Sequence, residues 1–233
     1  MTSSQPELKP AELAKHIDHT LLKPTATSSD FLRLFGEARR HGFWSVCVPP
    51  SEVKLATAHM KGSGVRVCTV VGFPLGFSSS RSKREEARLA MDEGADEIDM
   101  VMNIGAFKGG DFDTVSCEIR DVSSDCRAAH KVLKVIIECC YLTDEEKVKA
   151  ARIAESMGAD YVKTSTGFGP SGATVEDVAL LRHSLALTTK IKAAGGIGTL
   201  AKALDMIRAG ADRIGTSSGV AIIEEATRLS RDT

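Results

Sequence analysis

No apolar run in the 233 residues approaches the roughly 20 needed to cross a bilayer as a helix, and the polar opening MTSSQPELKP lacks signal-peptide character. Neither a membrane partner nor secretion is expected. Charge of one sign is also missing. The 30 Lys and Arg nearly balance 31 Asp and Glu, with no basic block or stripe, which argues against nucleic acid as a partner. No two cysteines are spaced as CxxC. Cys47, Cys68, Cys139 and Cys140 lie in apolar, strand-like runs, a pattern that fits reduced thiols in a cytoplasmic protein better than a disulfide framework or zinc site. Of the six histidines only His16 and His19 are close, so no metal is expected. There is no GxxxxGK[ST], which removes a Walker-type nucleotide site.

What is present is an alternation. Hydrophobic content of 42% and charged content of 26% are those of an ordinary globular domain large enough for a substantial core. β-rich segments at 16–21, 44–48, 66–71, 97–101, 133–138, 161–164, 190–193 and 213–216 alternate with helix-like stretches at 29–41, 51–61, 80–93, 111–130, 143–156, 174–187, 199–209 and 220–230. Several helices open at Ser, Thr or Asp and end at Gly42, Gly94, Gly158 or Gly210. Eight such units predict a single-domain (β/α)8 TIM barrel over 1–233, with 1–15 a polar or helical extension. An open doubly wound sheet is the alternative.

A quasi-repeat sets the phase. EGADEID at 93–99, MGADYVK at 157–163 and AGADRIG at 209–215 each run from a helix-ending glycine into a strand. Five residues past each glycine stand Asp99, Lys163 and Gly215, and the same step from Gly42 reaches Cys47. All four fall on even-numbered strands. Alternate strands fill one interior layer of such a barrel, so Cys47, Asp99 and Lys163 are expected to converge near the C-terminal mouth, with Lys192 entering from the next strand.

A lysine facing that interior has a chemical reading. A neutral amine adds to a carbonyl and loses water to give an electron-withdrawing iminium, and a neighbouring cation helps keep the amine neutral. Lys163 suits the nucleophile, Lys192 the neighbouring cation and Asp99 the proton shuttle, with Glu138 a reserve acid. Asp18 and Thr20 are read as bonding substrate hydroxyls, orienting Lys192, or shaping the turn before Pro24. Cys47 is read as lining the pocket, with nothing near to activate it. Trp44 and Phe43 are read as packing against helices.

Three loops suit an anion: AGGI at 194–197, GTSSG at 215–219 and the segment 167–172. The last matches GxGxxG, but Lys192 stands where a dinucleotide site needs an acid.

Together, HIDHTLLKP, VVGFPLG, EIDMVMNIGAFKGGD, KVIIECCYLT, YVKTSTGFGPSGAT, IKAAGGI and RIGTSSG resemble the metal-independent, Schiff-base class of deoxyribose-phosphate aldolases, over about 16–225. The resemblance implies reversible cleavage of 2-deoxy-D-ribose 5-phosphate to D-glyceraldehyde 3-phosphate and acetaldehyde, without a cofactor. It implies Lys163 as the Schiff-base residue, Lys192 as its cationic neighbour and Asp99 as the proton-transfer acid. Asp18, Thr20 and Cys47 match pocket positions, and Gly167, Gly195, Gly196, Gly215, Ser217 and Ser218 match a phosphate cradle. Two positions depart. Phe168 stands where some relatives have a lysine, so phosphate recognition is expected to depend more on backbone amides and the two serines. The only tyrosines are Tyr141 and Tyr161, so a C-terminal tyrosine shuttle is absent or replaced by water. Competing readings are another Schiff-base aldolase or transaldolase, a phosphate-binding isomerase, and a noncatalytic sugar-phosphate sensor. A homo-oligomer is left open.

Overall fold

The computed structural model describes residues 8–231. Eight strands, each too short to bury its faces alone, pair in parallel and in sequence order into a closed barrel: β1 (Ile17–Thr20), β2 (Ser45–Val48), β3 (Arg66–Val71), β4 (Glu97–Val101), β5 (Val132–Ile136), β6 (Tyr161–Lys163), β7 (Lys190–Ala194) and β8 (Arg213–Thr216). β8 closes onto β1, with Asp18 opposite Gly215. Parallel pairing requires crossover connections, and helices supply them: α1 (Pro10–Ala14) before β1, then α2 (Ser28–His41), α3 (Val53–Met60), α4 (Ser80–Asp92), α5 (Ile104–Lys108), α6 (Phe112–Ala128), α7 (Asp144–Ser156), α8 (Val175–Ser184), α9 (Leu200–Arg208) and α10 (Gly219–Leu229).

α2 shows how the sequence writes one unit. Thr27 and Asp30 close a capping box at its start. Phe31, Leu34, Phe35 and Ala38 recur at helical spacing and are buried against the sheet, each large side chain contributing about 1.5–3 kcal/mol. Gly42 then turns left-handed (φ 63°) and sends the chain into β2. Gly94, Gly158 and Gly210 do the same before β4, β6 and β8, so the repeated glycine ends a helix and fixes how many residues precede the inward-facing side chain.

Some boundaries differ from expectation. The helix expected at 51–61 begins as a 3-10 turn, Pro50–Glu52, and becomes α-helical only from Val53. The stretch before α6 holds α5, capped by Asn103. β5 stops at Ile136 and not at 138, because Glu138 adopts a left-handed backbone (φ 53°, ψ 69°) that no strand can hold. The extension expected at 1–15 is helical at Pro10–Ala14, and residues 1–7 lie outside the described ones. No helix among the described residues is long and apolar enough to cross a membrane.

Candidate active site

Inward side chains stack in layers from alternate strands, as a barrel of this shear requires. The registers place Ser45, Glu97, Tyr161 and Arg213 at the base, Asp18, Cys68, Lys134 and Lys192 above them, then Cys47, Asp99, Lys163 and Gly215, with Thr20, Val70, Ile136 and Ala194 nearest the mouth. The expected even-strand layer is present. The odd-strand layer brings two residues that sequence reasoning missed, Cys68 and Lys134.

Asp99 is the hub. Lys163 and Lys192 both donate to its Oδ2 at 2.7 Å, and Lys134 donates to Oδ1 at 2.7 Å. Asp99, Lys134 and Lys192 have no exposed surface, and Lys163 keeps 2%. Burial alone would push the Asp99 carboxyl up, but the ammonium groups of Lys134, Lys163 and Lys192 outweigh it and hold the group well below the usual carboxylate range. Burial likewise opposes the charge on Lys192, yet Asp18, with Oδ2 at 2.6 Å, and Asp99 hold it raised as an ammonium. Lys134 is raised well above its ordinary value against burial, by Asp99 first and then Cys68 and Glu97. Beneath them Arg213 bridges Asp18 and Glu97 at 2.7 and 2.6 Å. Trp44 donates to Glu97 (2.8 Å) and lies 4.6 Å from the Arg213 guanidinium carbon. Trp44 therefore faces the ionic base of the barrel rather than packing against helices.

Above Lys163 opens a groove of ≈ 470 Å³. It is lined by Thr20, Lys23, Lys163, Thr166, Gly167, Phe168, Gly195, Gly196, Gly215, Ser217 and Ser218, among others. Six of the expected cradle residues and Thr20 thus share one cavity with Lys163. Two expected pocket residues do not line it. Asp18 is buried one layer too deep, and bonds Lys192, Arg213 and the Ser45 hydroxyl (2.7 Å), so of the roles open to it, orienting Lys192 is the one the structure supports. Cys47 is fully covered, packed with Cys68 and Val70 under Leu22 and Phe73. Its environment is also not inert: a hydrogen bond with Cys68, set against burial, and the nearby Lys192 and Lys163 lower its thiol pKa. Cys47, Cys68 and Asp99 bring two thiols and a carboxylate within 4.8 Å of one another, a set that spacing did not reveal, and burial holds the Cys68 thiol well above its ordinary pKa. A cation there would meet three ammonium groups already bonded to Asp99, so the charges disfavour it.

The loop after β6 is held from below. Glu138 accepts from the backbone N–H of Thr166 (3.1 and 3.2 Å) and from its hydroxyl, while the same hydroxyl accepts from the Phe168 N–H (3.0 Å). Glu138 is therefore bound to the loop rather than free as a reserve acid. Gly172 explains the third glycine of GxGxxG: a Cβ there would stand 2.1 Å from the Gly195 carbonyl oxygen. The motif lets two loops lie backbone against backbone, with Ala173 N–H donating to the carbonyls of Ala194 and Gly195. Phe168 is 51% exposed and meets Phe73 edge-on at 5.3 Å, an apolar wall on one side of the groove.

A buried amine facing an anion-suited groove at the C-terminal end of a parallel barrel belongs to an enzyme that works on carbonyl compounds. The model of the DeoC/LacD family aldolases matches residues 13–225, and the chain belongs to that family. It is 54% identical over 217 residues to a deoxyribose-phosphate aldolase of Thermococcus gammatolerans, covering 92% of this chain and 96% of the relative. A solved structure described as a putative deoxyribose-phosphate aldolase from Coccidioides immitis superposes with a TM-score of 0.91 at 42% identity, over 96% of this chain and 88% of that one. The deoxyribose phosphate aldolase of Aeropyrum pernix, whose structure is described as a unique tetramer, gives 0.89 at 33% identity, over 95% and 93%.

Proposed function

We propose that this chain reversibly cleaves 2-deoxy-D-ribose 5-phosphate to D-glyceraldehyde 3-phosphate and acetaldehyde through a Schiff base on Lys163. One observation carries the assignment of the amine: of the three lysines around Asp99, only Lys163 lines the groove. Lys192 and Lys134 are committed as ammonium groups, Lys192 by two carboxylates.

Once Lys163 has given its extra proton to water in the groove, its amine adds to the substrate carbonyl carbon, and the carbinolamine, protonated on its hydroxyl, loses water to give an iminium. That cation draws the electrons of the carbon–carbon bond one atom further along, between C2 and C3; as the C3 hydroxyl gives up its proton to a base, that bond breaks, releasing glyceraldehyde 3-phosphate and leaving an enamine. Protonation and hydrolysis then free acetaldehyde and the amine. Asp99 is a poor base while three ammonium groups face it. Once Lys163 becomes a neutral carbinolamine nitrogen, one of those charges is gone. The Asp99 pKa then rises and the carboxylate can carry protons, directly or through water. The iminium provides the electron withdrawal that a metal supplies in other aldol chemistry.

Gly167, Gly195, Gly196, Gly215, Ser217 and Ser218 form the cradle for the phosphate in this reading. Gly195 and Gly196 both have positive φ (87° and 74°), so consecutive amides can turn toward an anion. α10 opens beside them at Ser218 without a side-chain cap, which leaves its first amides available. Thr20 reaches the same groove for a substrate hydroxyl. By likeness to the tetrameric relative, a homo-oligomer is the expected assembly, and six unpaired cysteines favour a reducing, cytoplasmic setting.

The test is release of acetaldehyde and glyceraldehyde 3-phosphate from deoxyribose 5-phosphate, and their condensation in reverse. Cleavage only of longer sugar phosphates, without acetaldehyde, would make it a different aldolase or a transaldolase, and isomerised product without borohydride inactivation an isomerase. Turnover in EDTA should equal that in its absence, because Asp99 is saturated by lysines. Activity lost to EDTA and recovered with zinc would contradict the metal-free route.

A further inference from the structure

We infer that Lys23, in the loop between β1 and α2, is the cation that recognises the substrate's phosphate. This rests on the proposed function and adds a residue to its site that neither the motif comparison nor the spacing assigned. With Phe168 in place of a lysine, the sequence makes the anion depend more on amides and hydroxyls. The folded chain adds a cation. Among the described residues lining the groove, only Lys163 and Lys23 carry a formal charge, and none is acidic. Lys163 is bonded to Asp99 and belongs to the carbonyl end. Among the described residues that leaves Lys23 as the groove's cation free to meet a dianion, and it shares the groove with Gly196, Ser217 and Ser218.

The surroundings keep it available. Among the described residues no carboxylate pairs with the Lys23 ammonium; only its backbone carbonyl is engaged, by Ala26 N–H at 3.0 Å. The flanking residues fix the stem: Leu21 N–H donates to the Cys47 carbonyl (2.9 Å), tying the loop to the barrel rim next to Thr20, and Pro24 follows Lys23. Lys202 is the other cation near these glycines, but it donates to the Gly196 carbonyl (3.3 Å) and does not line the groove. A lysine on a short tethered loop, facing a cavity without acids, is placed to attract phosphate before the sugar reaches Lys163.

The contribution should be that of a partly hydrated charge, about ten-fold in affinity and screened by salt. The experiment measures kcat/KM for deoxyribose 5-phosphate and for deoxyribose, and the inhibition constant of inorganic phosphate, in wild type, Lys23→Gln, Lys23→Arg and a Ser217→Ala, Ser218→Ala double variant. Lys23→Gln is expected to lower the phosphorylated-to-plain ratio about ten-fold, chiefly through KM, and to weaken phosphate inhibition equally. It should also flatten the rise of KM with ionic strength, and Lys23→Arg should restore most of all three. A Lys23→Gln enzyme with an unchanged ratio, phosphate inhibition and salt response, while the double serine variant loses them, would overturn Lys23 and leave the cradle standing. A wild type that treats both sugars alike and ignores phosphate would overturn the phosphate reading itself, and Lys23 with it.

Discussion

Lys163→Ala should lose essentially all turnover, on the order of 10⁵-fold, the scale of advantage that a positioned nucleophile holds over one in solution. Neither neighbour can take over. Lys192 is held by Asp18 and Asp99, and Lys134 by Asp99 and Glu97, and neither reaches the groove. Borohydride with acetaldehyde should add one adduct to the wild type, mapped by mass spectrometry to Lys163, and none to the variant. Near-normal rates in Lys163→Ala, or an adduct on another lysine, would refute the covalent route. Folding should survive, because removing one of three cations around Asp99 leaves the carboxylate still paired.

Asp99→Asn is the second large effect, and it strikes both stability and rate. It leaves Lys134, Lys163 and Lys192 converging on a neutral amide inside the barrel. Breaking a buried ionic network from one side costs about 3–5 kcal/mol, and loss of the proton carrier should lower kcat by roughly 10²–10⁴-fold. A second change, Lys134→Met, should recover much of the stability by removing one repelling charge, without recovering turnover. The pH dependence has a definite sign. Asp99 is depressed in the folded state, so its stabilisation is fully present above the unfolded value of about 4 and declines as pH falls below that toward the folded value. The gap in stability between wild type and Asp99→Asn should therefore be widest near neutral pH and narrow in strong acid. Equal denaturant midpoints at pH 7 would show that the three lysines do not depend on Asp99.

The even-strand layer was legible because glycine marks it. Gly42, Gly94, Gly158 and Gly210 each end a helix at a fixed distance from the inward residue, so Cys47, Asp99, Lys163 and Gly215 could be counted off. The odd strands carry no such marker, and Cys68 and Lys134 were overlooked, although a lysine inside the apolar run of β5 was a visible signal. Asp18 lies on the expected strand, and depth decides among the roles open to it. Two residues along a strand are roughly 6.6 Å of depth, enough to put Thr20 at the groove and Asp18 beneath Lys192. Glu138 and Lys23 depend on loop courses set by tertiary contact. Glu138 leaves its strand by a left-handed residue, and Lys23 comes to face the glycine loops only when β8 closes on β1.

The barrel's two faces follow different rules, and this has a consequence for how the protein can change. The apolar shell between sheet and helices is continuous, running from Leu13 through Phe35, Ile98, Ile119 and Leu133 to Ile222. The tube inside carries the ionic network and a small separate apolar patch of Cys47, Cys68 and Val70. Alternate residues of the same strand thus serve two compartments that share a backbone but scarcely share side-chain contacts. Losses incurred in the tube can be offset by gains in the shell, since substitutions without common partners combine nearly additively. Such a chain can exchange its reactive groups one at a time while its outer layer keeps it folded.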